Sequence, residues 1–108
     1  MLRTTGRKSG QTRTNSLVYA RDGERWLVVP SNGGADRPPA WQFNLQADPQ
    51  VEIQVGRGRT PVTATVIGHD DPDFARVWKL VNDGNSQRFA AYQEKTTRQI
   101  PVVALSPR

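Results

Sequence analysis

Cysteine is absent from the 108-residue chain, which removes disulfides, thiolate nucleophiles and cysteine-based metal sites together. There is one histidine, His69, so a histidine metal cluster is out of reach and no metal site is expected. No apolar run approaches the roughly 20 residues that a transmembrane helix needs, and no charged-then-apolar leader precedes the first motif. The compartment expected on that basis is the cytoplasm. Internal repeats and low-complexity linkers are missing as well, and a chain of this length has room for one modest core. A single continuous domain over residues 1–108 is expected. With no Cys nucleophile, no convincing Ser-His-acid set and no persuasive carboxylate pair, hydrolytic mechanisms have little to work with. If the protein is an enzyme, a bound cofactor brings the reactivity.

What is present is positive charge. Fifteen Lys and Arg against ten Asp and Glu leave a net charge of +5 and a pI near 10.4, a surface that attracts polyanions. The densest basic segment runs from Arg3 through Arg7 and Lys8 to Arg13, set among Thr, Ser and Gly. That mixture suits a local anion pocket better than a flexible nucleic-acid arm, because hydroxyls and backbone N–H groups add directed hydrogen bonds to the charge. A barrel binding single-stranded nucleic acid would expose stacking aromatics. Trp26, Trp41 and Trp78 instead sit in patterned apolar segments, and no nucleic-acid partner is expected.

Along the chain, Leu2 to Thr5 reads as a short strand, followed by a turn bracketed by Gly6 and Gly10. Thr14 to Ala20 and Arg25 to Pro30 read as two strands around Asp22-Gly23, a hairpin signal because Asp-Gly supplies the positive φ angles of a tight turn. Pro38 and Pro39 suit the first turn of a short helix that ends near Asp48 and Pro49. Val51, Ile53 and Val55 alternate with Glu52 and Gln54 as a half-buried strand does, Gly56 to Arg59 turns the chain, and Pro61 to Gly68 returns as the partner strand. Asp71 and Pro72 resemble an N-cap and first helical residue, with Phe74, Val77, Trp78 and Val81 at helical spacing. Gln87 to Thr96 forms a second helix with Phe89 and Tyr92 on one face, and Ile100 to Leu105 is a closing strand. About six strands and two or three short helices point to a barrel-like α+β fold, mainly β, rather than a doubly wound parallel sheet.

Three clusters could carry chemistry. Thr4-Thr5-Gly6-Arg7-Lys8-Ser9-Gly10, with Arg13 behind it, has the glycines, cations and hydroxyls of a phosphate cradle. It is not a nucleotide P-loop, since a strand rather than a helix follows, and a charged, exposed hairpin turn explains the same residues. Val29-Pro30-Ser31-Asn32-Gly33-Gly34 exposes backbone N–H groups where a flat heterocycle can approach, or is simply a loop between strand and helix. In Pro38 to Leu45, Trp41 and Leu45 are core by their spacing, while Asn44 faces a ligand or caps a turn. His69 with Asp70, Asp71 and Asp73 reads as the solvated, acidic start of a helix rather than a metal site.

In order, these segments resemble the deazaflavin-dependent nitroreductase family, the quinone reductases that use coenzyme F420, an 8-hydroxy-5-deazaflavin. The resemblance is carried by TTGRKSGQ from Thr4, YARDGERWLVVPSNGGADRPPAW from Tyr19, NLQADPQVEIQV from Asn44 and YQEKTTRQIPVV from Tyr92, nearly the whole chain. It implies a split β-barrel of the FMN-binding type and hydride transfer from F420H2 to a quinone, nitro compound or related organic acceptor. The coenzyme's phosphodiester and oligoglutamate tail would give the positive charge its purpose. By the same resemblance Arg7, Lys8 and Ser9 bind the phosphate. Arg13, Thr14, Asn15, Ser16, Leu17 and Val18 line the ring together with Val29, Pro30, Ser31 and Asn32, while Ala40, Trp41, Gln42, Phe43, Asn44 and Phe89 complete the groove. Ser31 is the candidate for a hydrogen bond to the acceptor or the ring carbonyl, and Tyr92 for the substrate pocket.

Two departures matter. Nitroreducing relatives place several tyrosines in the penultimate segment, whereas here Tyr92 is accompanied by Phe89 and Ser86, a less phenolic pocket. Relatives commonly have a lysine or asparagine after the corner serine, and Asn32 keeps the donor without the charge. The chain begins near the first motif without the N-terminal helix of many relatives, so either a more soluble version or a truncated chain is expected, with peripheral contact at the inner face of the membrane as the route to quinones. Monomer and homodimer remain open. An FMN-dependent split-barrel oxidoreductase and a non-catalytic F420 carrier are the alternative functions.

Overall fold

The computed structural model describes residues 1–6 and 9–108. Strands β1 (Leu2–Thr5) and β2 (Thr12–Asn15) form the first hairpin, and β3 (Ala20–Asp22) and β4 (Arg25–Val28) the second. A 3-10 turn (Asn32–Gly34) and helix α1 (Ala40–Ala47) lead into β5 (Gln50–Val55) and β6 (Gly58–Ile67). Helices α2 (Phe74–Asp83) and α3 (Arg88–Gln93) precede the closing strand β7 (Val102–Pro107). The hairpin expected at Asp22-Gly23 is present: Asp22 pairs with Arg25 and Gly23 has a φ of +60°, a left-handed conformation that glycine adopts without steric cost.

All strands are antiparallel and form one sheet in the order β2-β1-β5-β6-β7-β4-β3. This order puts β2 and β3 at opposite edges, although residues 16–19 alone separate them. Five Cα steps from Asn15 to Ala20 reach at most about 18 Å, whereas a flat sheet would hold the outer two of seven strands roughly 29 Å apart. The sheet therefore curls until its edges nearly meet, and the crossing segment bridges the gap. The result is a split barrel with an antiparallel meander at its centre.

The curl leaves an inner and an outer apolar face. Val103 and Leu105 of β7 point inward with Leu2, Val28, Ile53 and Val62, and α1 plugs that interior with Trp41 and Leu45. Val102 and Ala104 point outward with Leu27 and Val29, where α2 and α3 cover them through Val77, Val81 and Phe89. A strand covered on both faces reads as an unbroken apolar run, which is why Val102 to Leu105 shows no alternation.

Two sequence expectations are corrected. The single strand expected over Thr14 to Ala20 is divided, because Thr14 and Asn15 pair with Arg3 and Leu2 while Ala20 pairs with Leu27. Apolar and β-branched content marks a segment as extended but does not say which neighbour it joins, hence seven strands among the described residues where about six were expected. The second concerns α2, which starts at Phe74 with Asp73 at its cap. Asp71 instead closes a preceding turn, its carboxylate accepting from the Asp73 amide (2.8 Å) and its carbonyl from the Phe74 amide (3.0 Å). His69, two residues before that turn, is partly buried, its Nε2 donating to the Ile100 carbonyl (2.8 Å) and its ring 4.2 Å from that of Phe74.

An ion-pair network ties the second hairpin to α2. Arg76 donates two hydrogen bonds to Asp22 (2.7 and 3.0 Å) and two to Asp73 (2.8 and 2.9 Å), and Arg25 also pairs with Asp22. Arg76 first, and then Arg25, hold the Asp22 carboxyl well below its ordinary value of 3.8. The folded state thus binds fewer protons than the unfolded chain in acid, so this stabilisation is complete above pH 3.8 and is lost as pH falls through the depressed value. Asp22→Asn should lower the urea midpoint at neutral pH, and its gap from the parent protein should narrow steadily as the medium is acidified; a gap independent of pH would count against the network.

Candidate functional site

A groove runs along the split in the barrel, beside the crossing segment. One chamber, of about 670 Å³, has Ser9, Thr12, Arg13 and Thr14 on one side and Ala40 and Asn44 of α1 on the other. A second, of about 410 Å³, lies between residues 16–18 of the crossing segment and the Ser31 corner together with α3. Asn15, Pro39 and Trp41 line both, so the two chambers adjoin along one groove. Its floor is firm, because Trp41 is also part of the inner core.

Gly6 and Ser9, between β1 and β2, border the first chamber. The Gly6 amide donates to the Gln11 carbonyl (2.7 Å), the Gly10 amide to the Gly6 carbonyl (2.8 Å), and the Gln11 amide to Ser9 Oγ (3.2 Å). A Cβ on Gly6 would lie 2.8 Å from Ser9 Oγ and 3.2 Å from the Gln11 carbonyl, with Arg13 Nε 3.6 Å away. The turn is therefore folded tightly round a position without a side chain, and Arg13 is drawn in beside it. Asn44, buried at the back, donates to Thr4 Oγ1 (3.3 Å). Hydroxyls, amides and a guanidinium in one chamber make a donor-rich wall that suits an anionic group.

The second chamber owes its shape to a strained corner. Asn32, Gly33 and Gly34 have φ of +48°, +65° and +86°, conformations that cost a residue with a side chain free energy unless its surroundings hold it there. Asn32 is held by its own side chain, which donates to the Arg37 carbonyl (3.0 Å). Arg98 supplies the larger restraint. Its guanidinium donates to the carbonyls of Pro30 (3.1 Å), Ser31 (2.9 Å) and Ala35 (3.0 Å), gathering the corner's acceptors on one side. Burial pulls the Arg98 pKa below its ordinary value, with the Asp36 charge opposing, and an arginine starting from so high a value stays charged. The Gly34 backbone also approaches α3 closely: a Cβ there would lie 2.9 Å from the Tyr92 carbonyl.

The opposite wall is placed by an equally specific device. Ser86 and Gln87 both have left-handed φ, +58° and +61°, and the buried Asn82 pins the link they form between α2 and α3. Its Nδ2 donates to the Trp78 carbonyl (2.9 Å), its Oδ1 accepts from the Ala90 amide (2.7 Å) and its carbonyl from the Gln87 amide (2.8 Å). α3 is thereby turned so that Arg88, Phe89 and Tyr92 face the groove. Neither the Ser31 hydroxyl nor the Tyr92 phenol has a hydrogen-bond partner among the described residues, so both remain as donors at this end.

The structure brings most of the expected site residues to this groove. Ser9, Arg13, Thr14, Asn15, Ala40, Trp41 and Asn44 line the first chamber, and Asn15, Ser16, Leu17, Val18, Val29, Ser31, Asn32, Trp41, Phe89 and Tyr92 the second. Pro30, Gln42 and Phe43 line neither. Pro30 is fully buried beneath the corner, and the turn of α1 that presents Ala40, Trp41 and Asn44 carries positions 42 and 43 round the helix axis. Arg7 and Lys8 lie outside the described residues. Sequence reasoning passed over Thr12 and Arg88 in the walls, and Arg98 behind them, while Gly33 and Pro39 stood in its candidate clusters without being assigned to the site. Arg88 could have been suspected as a cation next to Phe89, whereas nothing local marks Arg98. No group of three His, Asp or Glu among the described residues is placed to hold a metal ion.

Residues 1–107 match the family model described as F420H(2)-dependent quinone reductase. A curated F420H(2)-dependent quinone reductase of Mycobacterium tuberculosis is 52% identical over 108 residues, which are 100% of this chain and 72% of that protein. Among solved structures, the F420-H2 dependent reductase FDR-A superposes with a TM-score of 0.84 at 34% identity, over 97% of this chain and 90% of that one. HutZ, a heme storage protein of Vibrio cholerae, superposes with a TM-score of 0.73 at 12% identity, over 99% and 79%, and shares the fold.

Removing the clamp should be costly. Arg98→Ala leaves three carbonyls without their donor and should lower unfolding free energy by about 1–3 kcal/mol, read from urea melts, with Arg98→Lys recovering part of it. Gly34→Ala forces a side chain against α3 at a left-handed position and should cost about 1–3 kcal/mol; a neutral effect would show that the close approach to Tyr92 is not a constraint.

Proposed function

The chain belongs to the F420H2-dependent quinone reductase family, and from that premise we propose that its groove seats coenzyme F420 lengthwise for hydride transfer to a quinone. The observation that carries this is a groove in which hydroxyls and Arg13 stand at one end, while the other end sets ring-sized apolar side chains among hydrogen-bonding groups. The chamber around Ser9, Thr12 and Arg13 is rich in donors, as a phosphodiester requires, and its Gly6 turn leaves no room for a side chain to fill the cradle. The chamber between the crossing segment and α3 has Leu17, Val18, Val29 and Phe89 in its walls, as a flat tricycle and a quinone ring require. The residues present thus fit the coenzyme. Arg7 and Lys8, next to Ser9 in the chain, would add charge at the phosphate end.

When bound, the reduced deazaflavin supplies the hydride. The protein's part is to hold ring and acceptor face to face and to offer donors where an oxygen gains negative charge. Ser31 is suited to that task, because its residue is 7% exposed while its hydroxyl is uncommitted among the described residues. The amides of Asn32 and Gly33, at the start of a helical turn, have no intrahelical acceptor and lie beside it. Tyr92 offers a phenol from the other wall. Quinones are the primary acceptors on this reading, and smaller nitro compounds follow.

No helix among the described residues is long and apolar enough to cross a membrane. Val18 and Tyr19 of the crossing segment, with Met1 and Val55, are the large apolar side chains most exposed to solvent among the described residues. They offer a surface for peripheral membrane contact close to the groove, which co-sedimentation with vesicles would test.

A fluorescence titration with oxidised F420 should show micromolar or tighter quenching, and stopped-flow mixing of the reduced coenzyme with menadione should show protein-dependent oxidation. Ser31→Ala should slow that oxidation by about tenfold or more with little change in coenzyme affinity. Lys8→Ala should weaken coenzyme binding in a salt-dependent manner; unchanged affinity would overturn the assignment of the phosphate end.

A further inference from the structure

Arg88 is the sole charged residue among the described walls of the second chamber, and no carboxylate stands there to balance it. Three other basic side chains are committed to carboxylates, Arg25 and Arg76 to Asp22 and Lys79 to Asp83. The Arg88 guanidinium has no ion pair or hydrogen bond with any described residue. Its position is nevertheless set by the fold. It is the first residue of α3, its amide donates to the Asn85 carbonyl (3.2 Å), and the left-handed Ser86 and Gln87 before it are fixed by Asn82. Val18, Val29 and Phe89 line the same chamber beside Asn15, Ser16, Ser31 and Asn32; Arg88 is solvent-exposed, so its charge acts on an anion in the chamber at a strength that salt screens.

A neutral quinone gains contact with those walls but has no charge for Arg88 to meet. A quinone bearing a carboxylate or sulfonate has both. We propose that Arg88 is a specificity residue that makes quinones with an anionic substituent better acceptors than neutral quinones of the same ring. The proposal rests on the quinone-reductase reading of the groove, and it adds a substrate class to that reading.

The test compares unsubstituted naphthoquinone with naphthoquinone sulfonate in two measurements. The first is kcat/KM with F420H2. The second is quenching of tryptophan fluorescence in coenzyme-free protein, for which Trp41 in the groove is the reporter. In the parent protein the sulfonate should be preferred in both, and Arg88→Gln should reduce that preference by about tenfold at low ionic strength, the difference shrinking as salt screens it. Arg88→Lys should retain most of the preference, which a purely steric contribution would not allow. A sulfonate-to-neutral ratio that is the same in parent and Arg88→Gln, or a loss that is equal for both quinones, would overturn the proposal. If the parent protein reduced neither quinone the quinone reading would fail, and the binding ratio by itself would then decide the role of Arg88.

Discussion

Residues 16–19 must span from one edge of a seven-stranded sheet to the other, and so short a bridge is possible only if the sheet is curled. That limit on chain reach organises the rest of the molecule. It creates an inner core that α1 fills and an outer apolar face that α2 and α3 cover. It also leaves a seam where the barrel does not close, and the groove follows that seam. Asn15, Ser16, Leu17 and Val18, at or inside the bridge, are themselves groove walls. The connection that shapes the barrel thereby also shapes the site.

Within the seam, chemistry is sorted by the elements on either side. The β1–β2 turn and the exposed strand β2 bring hydroxyls, amides and Arg13 to one end. The corner after β4 and helix α3 bring Ser31, Phe89, Tyr92 and Arg88 to the other. Neither wall of the second end is made by regular secondary structure alone. Arg98 holds one by capturing three carbonyls, and Asn82 holds the other across two left-handed residues. Both devices place strained backbone next to a binding surface, where a fixed shape is worth its cost in stability. A cofactor-dependent reaction asks for this kind of fixity, since the protein's contribution is orientation and electrostatics more than reactive groups of its own.

Much of this was legible in the chain. Gly23 after Asp22 marked a hairpin, Val51 and Ile53 marked a half-buried strand, and Val77, Trp78 and Val81 marked a helix lying on the sheet, all of which the structure contains. The ordered segments that point to the family also named most residues that line the groove. Less legible were positions where a local pattern has two outcomes. Asp71 has the look of a helix cap but closes the turn before the helix, because an Asx side chain can serve either structure. Thr14 to Ala20 has the look of one strand but serves two edges.

By itself the sequence determined the period of each segment, the places where φ must turn positive at glycine, the absence of thiol chemistry, and the likeness to a coenzyme-dependent family. These are properties of neighbouring residues or of ordered motifs, and backbone sterics with side-chain polarity express them locally. Tertiary structure decided which strands became edges, that Arg98 would reach carbonyls 63 to 68 residues earlier, and that Arg88 would stand without an ionic partner in the wall of the second chamber. Those outcomes depend on partners distant in the chain, brought together when both faces of the sheet are buried, and no local pattern encodes that choice.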